Sequence, residues 1–250
     1  MLSKNRNLKR TALAAAIYLT LVSAVCSFAP MCHASSEEEQ EVVIPEGKTI
    51  YLTFDDGPGK YTEKLLATLK KYNAKATFFV TDTKYIHLLA QIAADGHAIG
   101  VHSASHVYKE IYASEEAYFR DFEIMYNKIY DLTGIRTTLV RFPGGSSNRV
   151  SQFCPGIMTR LTKLVKEYGF QYFDWNVDSF DSVGATTAQQ VYRNVISKVS
   201  GKQCSIVLQH DIYGYSVDAV EKILQWGLAN GYQFLSLEAT SPGFHQTIVN

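Results

Sequence analysis

From residue 49 onward, short runs rich in β-branched and aromatic residues alternate with longer stretches whose apolar positions recur at helical spacing. The short runs predict strands over 49–54, 76–80, 98–101, 138–142, 172–177, 205–209 and 232–237. The amphipathic stretches predict helices over 63–72, 85–94, 114–132, 157–168, 187–199 and 217–230. Ser114, with Glu115 and Glu116 behind it, supplies a helix start, and Gly134 and Gly169 stand where helices should stop. Alternation of helices with buried strands predicts an α/β fold on a parallel sheet, and seven such units predict a closed or nearly closed barrel. A doubly wound open sheet is the competing architecture, but no phosphate-binding glycine fingerprint follows the first strand.

Composition narrows this to one ordinary globular domain. With 250 residues, 46% hydrophobic and 19% charged, and with only 6 Pro beside 16 Gly, the chain is not collagen-like, coiled-coil or disordered. At this length roughly 70% of the unfolded surface can be buried, so a metal is not needed to hold the fold and would serve function.

The 24 basic residues balance the 24 acidic ones, but Lys4, Arg6, Lys9 and Arg10 fall in an N-terminal stretch without acidic residues. The remainder carries 20 basic against 24 acidic residues and has no basic run, which argues against nucleic acid as a partner. That stretch has the layout of a secretory signal peptide over 1–34: a basic start, an apolar run over 11–29 and Cys32-His33-Ala34 before the cut. Cleavage after Ala34 is preferred to cleavage after Ala29, which Pro30 follows. An uncleaved anchor is the alternative, because an apolar run of ~19 residues approaches the ~20 that span a bilayer. Either way the body is expected outside the cytoplasm, secreted or associated with a cell wall, touching membrane only through an uncleaved leader. The polar, acidic residues that follow predict a spacer over 35–48, and Cys154 and Cys204 are read as two separate thiols.

The chemistry-bearing residues gather at the carboxyl ends of the strands, the face where barrel enzymes build their sites. Strand one ends in Asp55-Asp56-Gly57, strand three runs into His102-Ser103-Ala104-Ser105-His106, and strand four ends in Arg141-Phe142-Pro143-Gly144-Gly145. The fifth run contains Trp175-Asn176-Val177-Asp178-Ser179-Phe180-Asp181, and the sixth ends in Leu208-Gln209-His210-Asp211. Each piece alone has an ordinary explanation as a turn, a cap or a satisfied core residue. Their convergence on one mouth does not. One carboxylate and two neutral imidazoles make three ligands for a zinc-like ion with a position left open, the form of a catalytic site. A second carboxylate beside them can take a proton from water, and His210 across the mouth can give one to a leaving group. These parts compose a hydrolase for an amide or ester.

The ordered motifs TFDDG, HSASH, RFPGG, WNVDSFD and LQH, spread over residues 49 to about 240, make the chain resemble the polysaccharide deacetylases, the NodB-like domain of carbohydrate esterase family four. The resemblance implies a distorted (β/α)7 barrel, read as a catalytic domain over 49–250, and metal-dependent removal of acetyl groups from N-acetylated sugars. It implies that Asp55 is the catalytic base, that Asp56, His102 and His106 hold the metal, zinc or else cobalt, and that Arg141 tethers Asp55. It makes His210 the general acid with Asp181 as its carboxylate partner, Asp178 being the fallback. It places an oxyanion donor at the Gly144 N–H and an apolar wall of the acetyl pocket at Leu208. Two departures bear on the substrate: many members carry Tyr where Gly144 stands and Trp where Ser182 stands, so the acetyl pocket is either wider here or filled from elsewhere, with Trp175 a candidate.

Tyr108, Tyr112 and Tyr213 are the candidates for stacking against sugars, each lying within a few residues of a strand-end motif. His97 is read as structural, and His87 and His245 have no partner pattern. The expected substrate is N-acetylglucosamine in peptidoglycan, acted on by a monomer, with chitin-like or poly-N-acetylglucosamine chains as the alternative. A catalytically silent carbohydrate-binding barrel is the reading from another class; loss of a ligand or the base would favour it, and none is lost.

Overall fold

A computed structural model describes residues 41–250. The expected leader over 1–34, its expected cut after Ala34 and the start of the expected spacer lie outside the described residues. The spacer's described end is not free: the Val43 N–H donates to the Thr240 carbonyl at 2.8 Å.

The elements follow in the order β1 (Lys48–Asp55), α1 (Thr62–Lys71), β2 (Ala76–Thr81), α2 (Leu89–Ala94), β3 (Ala98–Ser103), α3 (Tyr108–Ile111) and α4 (Glu115–Thr133). They continue with β4 (Leu139–Val140), α5 (Ile157–Glu167), β5 (Gln171–Tyr172), β6 (Val177–Asp178), α6 (Ala188–Val199), β7 (Cys204–His210), α7 (Gly214–Ala229) and β8 (Tyr232–Phe234). The expected helix over 85–94 divides into a 3₁₀ turn, Ile86–Leu88, and α2, whereas the single turn α3 carries no signal in the hydrophobic pattern. Ser114 caps α4 by accepting from the Ala117 N–H, and Gly134 ends it in the left-handed conformation at φ 73. Among the described residues no helix is long and apolar enough to cross a membrane.

Every strand pairing is parallel, in the order β5-β4-β3-β2-β1-β7-β6, which makes the fold a curled, distorted α/β half-barrel sheet. β8 pairs with the first half of β1, below β2. The strand expected over 172–177 is two strands, β5 and β6, at opposite edges of the sheet. The intervening residues span the gap: the Phe173 N–H donates to Val140 O on one side and the Asn176 N–H to Ile206 O on the other. Curvature thus splits one apolar run between two sheet edges, a division that alternation cannot reveal.

Alternation along the strands separates two cores. Ile50, Leu52, Phe54, Phe78, Val80, Val101, Val140 and Val207 pack outward under the helices. Tyr51, Phe79, Leu139, Phe173, Ile206 and Leu237 face inward and fill the lower barrel. Gly100 makes room for that plug, since a Cβ there would lie 2.6 Å from the Phe79 ring. Continuing the same inward parity along each strand brings Thr53 and Asp55, His102, Arg141, Leu208 and His210 to the interior above the plug. Cys154 and Cys204 are free thiols.

Candidate active site

Arg141 forms the floor. Its side chain is fully buried, and its guanidinium lies 4.2 Å over the Phe79 ring. The group donates from Nε to Phe173 O at 2.9 Å, from Nη1 to Thr53 Oγ1 at 2.6 Å and Asp55 Oδ1 at 2.9 Å, and from Nη2 to Asp174 O at 3.2 Å. A buried cation persists only when so paired. Its consequence is that Asp55, itself buried, has one carboxylate oxygen fixed.

Asp56 lies at the first residue past β1, in the left-handed conformation at φ 69, which turns its carboxylate towards the end of β3. Its Oδ1 is 3.4 Å from His102 Nε2 and 3.2 Å from His106 Nε2. One ligand atom from each of Asp56, His102 and His106 can be chosen so that all lie within 4.8 Å of one another. The two imidazoles converge through a tight turn rather than a helix. The Ser103 hydroxyl accepts from the His106 N–H, and His106 sits at φ 54.

These residues fit a divalent ion on two counts. Asp56 Oδ1 is buried without a hydrogen-bond partner, an arrangement that costs free energy unless a cation or proton meets it. His102 Nδ1 lies 2.7 Å from Arg141 O, an acceptor only, so in the neutral ring Nδ1 carries the proton and Nε2 is the atom left to hold an ion. Burial opposes charge on Asp56, but the neighbouring imidazoles of His102, His106 and His210 hold its carboxyl well below the usual range. Burial would lower His102, but Asp55 and Asp56 raise it, whereas burial and the neighbouring His102 lower His106. The pull that raises His102 attracts any cation, and an ion entering would displace a proton.

His210 faces this cluster with Nε2 3.9 Å from Asp56 Oδ2. Its Nδ1 meets Asp181 Oδ1 at 2.7 Å, and its backbone N–H donates to Asp181 Oδ2, also at 2.7 Å. Asp178 is occupied elsewhere, accepting from the Phe180 N–H, so the geometry selects Asp181 as the partner. Burial pulls the imidazole pKa down, but the Asp181 hydrogen bond and charge, with Asp55 and Asp56 behind them, raise it to about 9.

Gly144 is exposed at the mouth at φ 77, in a turn closed by the Gly145 N–H donating to Phe142 O. Leu208 is buried on β7, opposite Thr53 and Asp178. Trp175 leans across the barrel, with its ring 3.0 Å from where a Gly145 Cβ would stand and 5.7 Å from the Arg141 guanidinium. Tyr108 and Tyr213 are half-buried beside the site, their rings 5.1 Å from His106 and 5.9 Å from His210. Tyr112 corrects the expectation of sugar stacking: it is fully buried, its hydroxyl donates to Pro143 O at 2.8 Å, and no sugar can reach it. His97 accepts from the Ala76 N–H, and burial together with Lys75 pushes it down to about 4, a neutral structural imidazole. His245 stacks on Tyr172 away from the cluster.

Three carboxylates that the motifs do not single out hold the site's loops. Asp121 in α4 accepts from Ser103 Oγ and from the Ala104 and Ser105 N–H groups, fixing the turn between the imidazoles. Asp174 accepts from the Ser146 N–H and hydroxyl and from the Gln246 N–H, pinning the loop behind Gly144. Asp211 accepts from Thr62. Their partners lie far away along the chain; Asp174 and Asp211 are fully buried and Asp121 is half-buried, and no pattern in the sequence marks any of the three.

Comparison with known proteins places the chain in a family. The family model described as polysaccharide deacetylase matches residues 43–173. A peptidoglycan-N-acetylglucosamine deacetylase of Bacillus cereus is 38% identical over 198 residues, 76% of this chain and 69% of that protein. The crystal structure of the catalytic domain of a peptidoglycan N-acetylglucosamine deacetylase from Eubacterium rectale is similar with a TM-score of 0.83 at 52% identity, over 87% of this chain and 99% of that one. That of a polysaccharide deacetylase from Bacillus cereus gives 0.70 at 35% identity, over 79% and 96%.

Proposed function

The chain belongs to the polysaccharide deacetylase family, hydrolases of amide bonds, and from that premise we propose that it removes the acetyl group from N-acetylglucosamine residues of peptidoglycan. The observation that carries the proposal is a three-ligand cluster flanked by two differently wired groups, Asp55 on Arg141 and His210 on Asp181. The relatives named for N-acetylglucosamine in peptidoglycan support the substrate, and the basic and then apolar layout of residues 1–34 supports action outside the cytoplasm.

Asp56, His102 and His106 would hold a divalent ion, with zinc favoured over cobalt because one carboxylate and two imidazoles suit it. Bound there, such an ion polarises a carbonyl and makes water a better nucleophile at neutral pH. Asp55 supplies the base: Arg141 keeps its carboxylate beside the cluster, Oδ2 lying 3.9 Å from His102 Nε2, where it takes the proton of the attacking water. The Asp181 carboxylate favours the protonated imidazole of His210, and because it engages Nδ1, Nε2 is the end that gives its proton to the departing amine. Water thus adds to the acetyl carbon, the C–N bond breaks, and acetate and a free amino sugar leave. The N–H of the exposed Gly144 would meet the developing oxyanion, Leu208 would line the methyl's pocket, and Tyr108 and Tyr213 would offer ring faces to the sugars.

The test is mass spectrometry of purified muropeptides treated with the protein, with a chelator and with zinc restored. The expected result is loss of one acetyl group per N-acetylglucosamine, abolished by chelation and recovered with zinc. Loss on muramic acid alone, or on chitin oligomers alone, overturns the substrate; full turnover of the chelated protein overturns the metal.

A further inference from the structure

The turn over residues 56–59 is gripped from two sides. From the end of β2, the Thr81 N–H donates to Gly57 O, the Thr81 hydroxyl to Asp56 O at 2.7 Å, and the Thr83 hydroxyl to Pro58 O at 2.6 Å. From the end of β7, Asp211 reaches in. Its Oδ2 accepts from the Thr62 hydroxyl at 2.5 Å, and that hydroxyl accepts from the Gly59 N–H at 2.7 Å. Asp211 is fully buried, and its other oxygen, without a hydrogen-bond partner, lies so close to Gly57 that a Cβ there would stand 2.0 Å away. Because Asp55 and His210 are register partners, the residue after each continues the contact between the two strand ends.

We propose that Asp211 is a positioning residue: through Thr62 and its packing on Gly57 it clamps the turn from the β7 side and holds Asp56 in the left-handed conformation that aims its carboxylate at His102 and His106. This rests on the reading of Asp56 as a metal ligand. A non-glycine residue at positive φ is strained and keeps that conformation only where its surroundings over-determine it. The carbonyls of residues 56–58 have their partners at the end of β2 and just past it, so the Gly59 side, and with it the tilt of the turn, falls to Thr62 and Asp211. The clamp is a matter of shape and an acceptor oxygen rather than charge. Burial pushes the carboxyl up, against the hydrogen bond from Thr62, to about 7.

The test is zinc affinity of the full chain, measured by competition with a chromophoric chelator well below the unfolding temperature, where a loss of global stability alone leaves affinity unmoved. Asp211→Ala is expected to weaken zinc binding about 10–100-fold, as loss of an outer-shell contact does. Asp211→Asn keeps the acceptor oxygen and the volume, and is expected to restore most of that loss. Thr62→Val removes only the hydroxyl linking Gly59 to Asp211 and should lose affinity in the same direction, which decides the matter if the alanine variant does not fold. Unchanged affinity in Asp211→Ala or in Thr62→Val overturns the clamp, and so does an asparagine variant as weak as the alanine one. If the unaltered chain takes up no zinc, cobalt or other divalent ion, the ligand reading of Asp56 falls first and the clamp with it.

Discussion

His210 is governed by opposed influences, and their balance can be moved by one atom pair. Burial disfavours the imidazolium; Asp181, fixed by bonds from the His210 N–H and the Ser216 hydroxyl at 2.6 Å, favours it and raises the pKa to about 9. The folded value lies above the ordinary one of 6.5. The pair therefore contributes stability that is fully present below the ordinary value and is lost as pH rises through the folded one. In Asp181→Asn the charge is gone, the pKa falls, and the alkaline limb of the kcat/KM profile should move acidward by about one pH unit or more, with the acidic limb in place. A pH–rate series paired with NMR titration of the imidazole checks this; an unmoved limb removes Asp181 from the role. The placement of Asp55, Asp56, His102, Arg141, Asp181 and His210 around one mouth was legible in the sequence because strand ends and motif order bear on all of them. Tyr112 was misread because proximity to a motif says nothing of burial. Its hydroxyl turns to Pro143, a partner 31 residues away.

Helix α4 shows how an element serves the site without entering it. Its Asp121 carboxylate collects the Ser103 hydroxyl at 2.6 Å and the Ala104 and Ser105 N–H groups at 2.8 Å, and Ser103 in turn accepts from the His106 N–H. Asp121→Ala leaves those donors without their acceptor and frees the turn that brings His106 to His102. The expected outcome is a loss of metal affinity of about 10–100-fold by chelator competition, with a modest fall in Tm. Affinity equal to that of the unaltered chain would make the contact merely structural. Asp121 was not legible, because in an amphipathic helix an acidic residue on the polar side reads as solvated. Strand order was legible only in part. The run over 172–177 carries one hydrophobic signal, yet Tyr172 belongs to β5 and Val177 to β6, at opposite sheet edges. Which neighbour a residue pairs with depends on the curl of the sheet, a property of all the strands together.

At the scale of the molecule, the candidate site joins parts that only the folded chain brings together. Asp56 follows β1 while His102 and His106 come from the end of β3, and β2 lies between those strands in the sheet. An ion held by all three residues therefore ties two non-adjacent strands across a third, and the unfolded chain has no such triad to offer. An ion that binds the folded state alone stabilises it by mass action, about 2.7 kcal/mol at a free concentration 100 times Kd. For a domain of this size about 1 kcal/mol moves Tm by roughly 2–4 °C, so zinc at that excess should raise Tm by roughly 5–11 °C over the chelated protein. Calorimetry with and without chelator measures the shift, and its dependence on zinc concentration separates binding to the native state from nonspecific effects. In Asp56→Asn, where the amide offers the ion a weaker ligand without charge, the rise should largely vanish while the chelated protein unfolds near the unaltered chelated one. Equal zinc-dependent gains in both chains would mean that the ion stabilises the fold from somewhere other than the mouth of the barrel.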